Sequence, residues 1–220
     1  MQVALDFRPV LAAWPSLLSG AAWTLGLTAV ASVIGLAGGV AGAAARRDGP
    51  AALRFAVGAY VEAIRNTPFV VQLYFIFFAL PALGLRLPAT AASLLAMSLN
   101  LAAYATEIVR SGLDAAPAGQ GEAAASLGMT KTQAFLHVLA PPALGRVWPS
   151  LVSQIAIVML GSAVCGQISV PELSFAGSLI QSRTFRAFES FIVVAALYLA
   201  MAAALRRGLL AAGRRFAAGD

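Results

Sequence analysis

The chain has 220 residues, of which 60% are hydrophobic and 11% charged, with a net charge of +6. A soluble domain carries ~25% charged residues, so this composition excludes an ordinary soluble enzyme and points to a multispanning membrane protein. The fifteen basic residues lie at the ends of apolar runs and form no stripe with interleaved aromatics, which argues against a nucleic-acid partner. A single cysteine, Cys165, excludes an intrachain disulfide or a thiolate metal cluster.

The start of the chain carries Asp6 and Arg8 rather than a basic segment before an apolar core, so a retained N-terminus is expected. The uncharged stretch from Val10 to Ala45 divides into a lead-in with proline and tryptophan and a first span at about 21–45. Gly35, Gly38, Gly39 and Gly42 give that span small-xxx-small spacings, which suit close packing within a bundle or a dimer face. A second span is expected at about 57–80, where Pro68 frees a backbone carbonyl and predicts a kink. Further spans are expected at about 87–110, 147–169 and 188–210. The fold class is therefore an all-α membrane protein with five transmembrane helices, and residues 1–220 form one domain.

Five spans put the termini on opposite sides. With the C-terminus cytoplasmic, eleven of the fifteen basic residues fall inside: Arg46, Arg47, Arg54, Arg65, Arg110, Lys131, Arg146, Arg206, Arg207, Arg214 and Arg215. Arg8, Arg86, Arg183 and Arg186 fall outside. The bias places the N-terminus outside and a polar loop, about 111–146, in the cytoplasm.

That loop has its own helix signals. An alanine-rich run from Gly121 and Glu122 ends at Leu127, and Gly128 stands where a left-handed C′ glycine belongs. Thr130 followed by Gln133 forms a capping box for a second helix, Lys131 to about Leu139, which Pro141 and Pro142 are expected to end. Phe135, Leu136, Val138 and Leu139 give it apolar anchors. Such a helical knuckle suits docking to a cytoplasmic partner or packing against the membrane helices.

The stretch "EAAASLGMTKTQAFLHVLAPPAL" (122–144) resembles the EAA loop of ABC importer permeases. "LLSGAAWTLGLT" (17–28), "EAIRNTPFVVQLYFIFFALP" (62–81), "AAYATEIVRSGLDAAPAGQGEAA" (102–124) and "SVPELSFAGSLIQSRTFRAFE" (169–189) resemble one branch, the polar amino acid permeases of the histidine/glutamine type. The resemblance covers nearly the whole chain in order. It implies the type I ABC importer transmembrane-domain fold and a multi-pass location in the bacterial inner membrane. It also implies a second permease copy or homologue, an ATPase subunit dimer and a periplasmic or extracellular solute-binding protein, with lipid around the chain. The ATPase would engage Glu122, Ala123, Ala124, Gly128, Thr130, Phe135 and Pro141. Two departures stand out: Ala140 replaces the leucine usual before the loop proline, and Leu160-Gly161-Ser162-Ala163 replaces a charged run common in the fourth span.

No GxxxxGK[ST] loop is present, and Lys131, the only lysine, follows threonine. The chain is thus expected to be a transport subunit that binds no cofactor itself, with ATP and magnesium on the partner ATPase. His137 is the single histidine, and no metal site is expected. Polar residues inside spans tend to face cavities or partners. Thr67, Gln72, Asn100, Tyr104 and Ser162 are candidates for the substrate pathway, with helix–helix hydrogen bonding as the alternative. Glu62 with Arg65, and Glu107 with Arg110, are spaced to pair on a helix face as gate or end-of-helix ion pairs. The outer segment with Pro171, Glu172, Arg183 and Arg186 reads as a mixed-charge ledge for the binding protein or as a solvated loop. The expected function is translocation of a polar amino acid or similar small polar solute. An ion-gradient-driven transporter and a non-transporting membrane subunit are the alternatives.

Overall fold

A computed structural model describes residues 5–115 and 118–217, all of whose regular elements are helical. Two short turns precede the bundle proper: α1 (Arg8–Ala12) and the start of α2 (Trp14–Asp48) each carry a proline in the first turn, where its missing N–H costs nothing. The lead-in is therefore continuous with the first span. At 35 residues, α2 is about 52 Å long, well beyond the ~30 Å hydrocarbon core.

The second expected span is two helices. α3 (Ala51–Arg65) and α4 (Phe69–Tyr74, extended by a π turn Phe75–Ala79 and a 3-10 turn Leu80–Leu83) meet at 110°. The break falls at Asn66–Pro68, so the kink predicted at Pro68 is a full corner. α5 (Ala89–Asp114) is the third span. The loop carries α6 (Ala118–Ser126) and α7 (Lys131–Ala134). Beyond it lie α8 (Ala140–Gly161), a 3-10 segment Ser162–Ile168, α9 (Leu173–Thr184) and α10 (Ala187–Ala217). Among the described residues, four helical stretches are long and apolar enough to cross a membrane, and the cornered α3–α4 pair passes the same test as a broken span or a re-entrant loop, which gives four or five spans. Arg214 and Arg215 lie on α10, but their side chains are outside the described set.

Pro141 and Pro142 do not end the loop's second helix. α7 passes through a π turn, Phe135–Leu139, directly into α8, so the loop helix and the fourth span are one continuous helical stretch, Lys131–Ile168. The wider π turn accommodates two residues that lack an N–H and would crowd the preceding turn of an α-helix.

The glycines of α2 are spent inside this bundle. A Cβ at Gly35 would lie 2.7 Å from Leu101 Cβ, and Gly39 and Gly42 meet Ala105 and Thr106 as closely. All three partners are on α5, so the small-residue stripe is the seam between α2 and α5. Leu27, Ala31, Met97 and Leu101 extend that seam into the main core with Leu73 of α4 and Ile155 of α8. Ala43, Ala105, Val109 and Leu113 extend it toward Leu139 and Leu151, which ties the loop helix to the bundle.

Candidate functional site

The knuckle between α6 and α7 is built as a corner. Gly128 has φ +74, its N–H donates to Ala125 O at 3.0 Å, and the Met129 N–H donates to Ala124 O at 3.1 Å. These are the two bonds of a Schellman cap. On the other side, the Thr130 hydroxyl accepts from the Gln133 N–H at 3.3 Å, while Gln133 Oε1 accepts from the Thr130 N–H at 2.9 Å. The expected capping box is therefore formed. Two reciprocal locks with only Met129 between them fix the angle of the corner.

Its faces differ. Ala124, Ala134 and Leu139 are buried, Leu139 against the bundle, and Phe135 is half-buried. Glu122, Ala123 and Pro141 are exposed, and so are Leu127 (81%) and Leu136 (55%), large apolar residues at the tip and on the second helix. The anchors thus divide: Leu139 holds the knuckle down, and Leu136 with Leu127 faces outward. His137 is exposed and its Nδ1 donates to Gln133 O at 3.0 Å.

A charged cluster occupies the same end of the bundle. Glu107 of α5 is 18% exposed at its side chain and receives Arg110 Nη2 at 3.0 Å, Arg46 of α2, and Arg65 of α3 at 3.9 Å. Arg110 also reaches Asp114 at 2.6 Å. One carboxylate therefore collects arginines from three helices. The expected pair Glu107–Arg110 is present. The pair Glu62–Arg65 is not: Glu62 accepts from Asn66 Nδ2 at 2.9 Å, and Arg65 turns to α5, with its guanidinium 5.5 Å from the centre of the Tyr104 ring. The sheltered Glu107 carboxylate attracts Arg65 more strongly than the exposed Glu62 does, because water screens it less. That Arg46 joins is not legible from spacing along the chain, because its partner lies on another helix.

Three of the five pathway candidates meet at the α3–α4 corner. Asn100 Nδ2 donates to Gln72 Oε1 at 3.0 Å, and Gln72 Nε2 lies 3.0 Å from the Thr67 hydroxyl. Tyr104 sits one turn along α5 from Asn100, under Arg65. Ser162 stands apart: it is fully buried and its hydroxyl donates to Met159 O at 2.7 Å.

The far end of the bundle corrects the reading of the outer segment. Glu172 is not part of an exposed ledge but is 0% exposed. It caps α9, accepting from the Phe175 N–H at 2.7 Å and the Ser174 N–H at 2.9 Å, and Tyr198 of α10 donates its hydroxyl to the same carboxylate. The Leu173 N–H donates to the Thr24 hydroxyl of α2 at 3.2 Å. A negative group at a helix N-terminus meets unpaired N–H donors, which is why the acid turns inward. Burial is the main influence on this carboxyl and pushes its pKa up. Glutamate is a weak capping signal beside serine or aspartate, so this network was not legible in the sequence. Arg183 and Arg186 remain on the outer segment, Arg186 pairing with the buried Glu189 at 3.4 Å.

Residues 34–215 match the sequence profile of the family described as the binding-protein-dependent transport system inner membrane component. A probable glutamine ABC transporter permease protein of Bacillus subtilis is 36% identical over 186 residues, 83% of this chain and 86% of the relative. The glutamine transport system permease protein of Escherichia coli K12 is 36% identical over 201 residues, 88% of this chain and 90% of the relative. Among solved structures, an amino acid ABC transporter crystallised with histidines superposes with a TM-score of 0.86 at 34% identity, over 97% of this chain and 100% of that one. The methionine ABC transporter MetNI, in inward-facing conformations, superposes with a TM-score of 0.70 at 22% identity, a likeness of fold. The chain has the transmembrane-domain fold of type I ABC importers and belongs to the binding-protein-dependent transport permeases, multi-pass subunits of the bacterial inner membrane.

Proposed function

We propose that this chain forms, with a second copy or a homologue, the pathway by which a polar amino acid or similar small polar solute enters the cytoplasm. The C-terminus and the α6–α7 knuckle face the cytoplasm, and the N-terminus faces outward. In support, Arg46, Arg65 and Arg110, all on the side expected to be cytoplasmic, converge on Glu107 at one end of the bundle. A partner ATPase subunit binds ATP and magnesium and grips the knuckle through the exposed Glu122, Ala123, Gly128, Thr130 and Pro141 and the half-buried Phe135, with Ala124 packed beneath them. ATP-driven closure of two such subunits pulls on the knuckle. The continuous helix from Lys131 into α8 gives that pull a rigid route into the membrane. A solute-binding protein delivers its cargo at the opposite end.

The wall of the pathway carries Thr67, Asn100 and Tyr104, with Gln72 holding Asn100 from behind and Ser162 buried in the helix packing, and the Glu107 cluster, which includes Arg65 but not Glu62, closes its cytoplasmic end. With the charged run of the fourth span replaced by Leu160-Gly161-Ser162-Ala163, this wall suits a solute with a neutral side chain.

The observation that carries this reading is the doubly capped knuckle with Leu127 and Leu136 presented outward. Reconstitution with the partner ATPase and binding protein in liposomes tests it. Uptake of a neutral polar amino acid should require ATP and all three components. Uptake by this chain alone, driven by a proton or sodium gradient, would overturn it.

A further inference from the structure

We propose that Gln72 is a positioning residue: its side-chain amide replaces the backbone donor that Pro68 lacks, and so makes the α3–α4 corner a rigid elbow tied to α5.

In an unbroken helix the N–H of residue 68 would bond Ile64 O. Pro68 has no N–H, and the Thr67 N–H and hydroxyl reach that carbonyl only at 3.5 and 3.4 Å, so it lacks a donor at ordinary hydrogen-bond distance from the turn itself. Gln72, one turn beyond the break, reaches back and donates from Nε2 to Ile64 O at 2.8 Å and Thr67 O at 3.0 Å. Of the two carbonyls before Ile64, Glu62 O keeps its backbone donor, the Asn66 N–H at 3.1 Å, and both receive side chains as well. Asn66 Nδ2 donates to Glu62 O at 2.9 Å, and the Thr67 hydroxyl donates to Ala63 O at 2.8 Å. Three successive carbonyls at the end of α3 thus keep partners, and among these bonds only those from Gln72 span the 110° break.

Gln72 differs from the other two because its bonds cross the break and because it is 9% exposed. Water cannot readily substitute for it. Its amide hydrogens are committed to the carbonyls, and its oxygen accepts from Asn100 on α5. Little of this side chain is left to bind a solute. Asn100 keeps its Oδ1, which has no partner among the described residues. Of the pair, Asn100 is therefore the one placed to touch cargo, and Gln72 holds it there.

The arms joined by the elbow are unequally anchored. α4 buries Gln72 and Leu73, whereas Val61 is the buried residue of α3. Besides the elbow, α3 is held to α5 by the Tyr60 hydroxyl, which donates to Leu99 O, by Arg65 over the Tyr104 ring and by the long Arg65–Glu107 pair, and it also packs on α2. α3 thus rests on α2 and α5 along its length, and the elbow adds the one direct polar tie between α3 and α4 among the described residues. The consequence is that α3 and α4 move as one bent body, hinged against α5 at the Gln72–Asn100 bond.

Its bearing on transport rests on the importer reading, but the geometry can be measured without transport. Spin labels on the two arms, at Phe55→Cys and Phe78→Cys in a Cys165→Ala background, report the elbow angle of the full chain in lipid nanodiscs. Both label sites are exposed, Phe55 at 79% and Phe78 at 62%. The native chain should give one narrow distance distribution, and Gln72→Leu should broaden it at least twofold. Asn100→Ala, a milder change, should leave that width alone and broaden the distance from Phe55→Cys to Ser111→Cys on α5. A native width between the arms in Gln72→Leu overturns the proposal. So does a native distribution at both label pairs in Asn100→Ala, even where Gln72→Leu is not recovered. If Gln72→Leu raises the KM for solute with all distances unchanged, Gln72 is a solute ligand and not a positioning residue.

Discussion

Replacing Gly128 with valine isolates what the knuckle asks of its backbone. The residue sits at φ +74, and a side chain in the left-handed region costs ~1–2 kcal/mol, with a β-branched one at the upper end. No packing penalty adds to this, because a Cβ at 128 would meet nothing within 4 Å. The cost therefore shifts the balance between formed and opened corner by about 5- to 30-fold. The two Schellman bonds from Gly128 and Met129 weaken with it. The assay is uptake and ATP hydrolysis measured in the same proteoliposomes, with the ATPase and binding protein present. G128V should insert normally, hydrolyse ATP, and move several-fold less solute per ATP. G128N is the control, since asparagine tolerates this conformation, and should stay within about twofold of native. If G128V matches the native ratio, the corner is not what transmits the ATPase movement.

Other expectations follow from the same geometry. T130A removes the hydroxyl half of the capping box, worth about 1 kcal/mol, so amide exchange over residues 131–134 should quicken several-fold while α8 is unaffected; equal exchange would show that packing alone holds α7. G35V drives a Cβ to 2.7 Å from Leu101 and should lower the melting temperature by several degrees, as overpacking costs ~1–3 kcal/mol. G26A, with nothing within 4 Å of the added carbon, should not, and equal melting of the two would contradict the α2–α5 seam. E172L strips acceptors from the Ser174 and Phe175 N–H groups and from Tyr198, each worth ~1–3 kcal/mol when left buried and unpaired, and should be less stable than E172Q. Because burial raises the Glu172 pKa, the folded chain binds this proton more tightly than the unfolded one. The stabilisation is full below the ordinary carboxyl range and is lost as pH rises through the raised value. E172Q should flatten that decline in melting temperature, and an unchanged pH profile would contradict it.

Local signals were read most securely. Gly128 and the Thr130–Gln133 box are specified by neighbours in sequence, and the structure forms both. Span positions follow from uncharged length, but continuity does not. Pro68 turned a kink into a 110° corner, whereas Pro141 and Pro142 lie within a continuous helix because a π turn precedes them. A proline removes the same bond in each case, and the neighbouring turn decides the outcome. Long-range polar partners were the least legible. Spacing along α3 paired Glu62 with Arg65, yet Arg65 bonds across to Glu107. Glu172 looked like a surface charge until α2, α9 and α10 closed around it. Of the pathway candidates, Gln72 and Asn100 were both singled out by polarity inside a span, but only the corner explains why they meet.

The most direct test of the account is whether the exposed face of the knuckle grips an ATPase. The native chain and E122R are purified from membranes that also hold the partner ATPase. Glu122 is exposed within α6, its carbonyl receives the Ser126 hydroxyl, and its carboxylate has no partner among the described residues, so E122R should fold as the native chain does. The account predicts that the native chain retains the ATPase and the variant releases it. A native, folded chain that retains no ATPase, or a variant that retains as much, would contradict it.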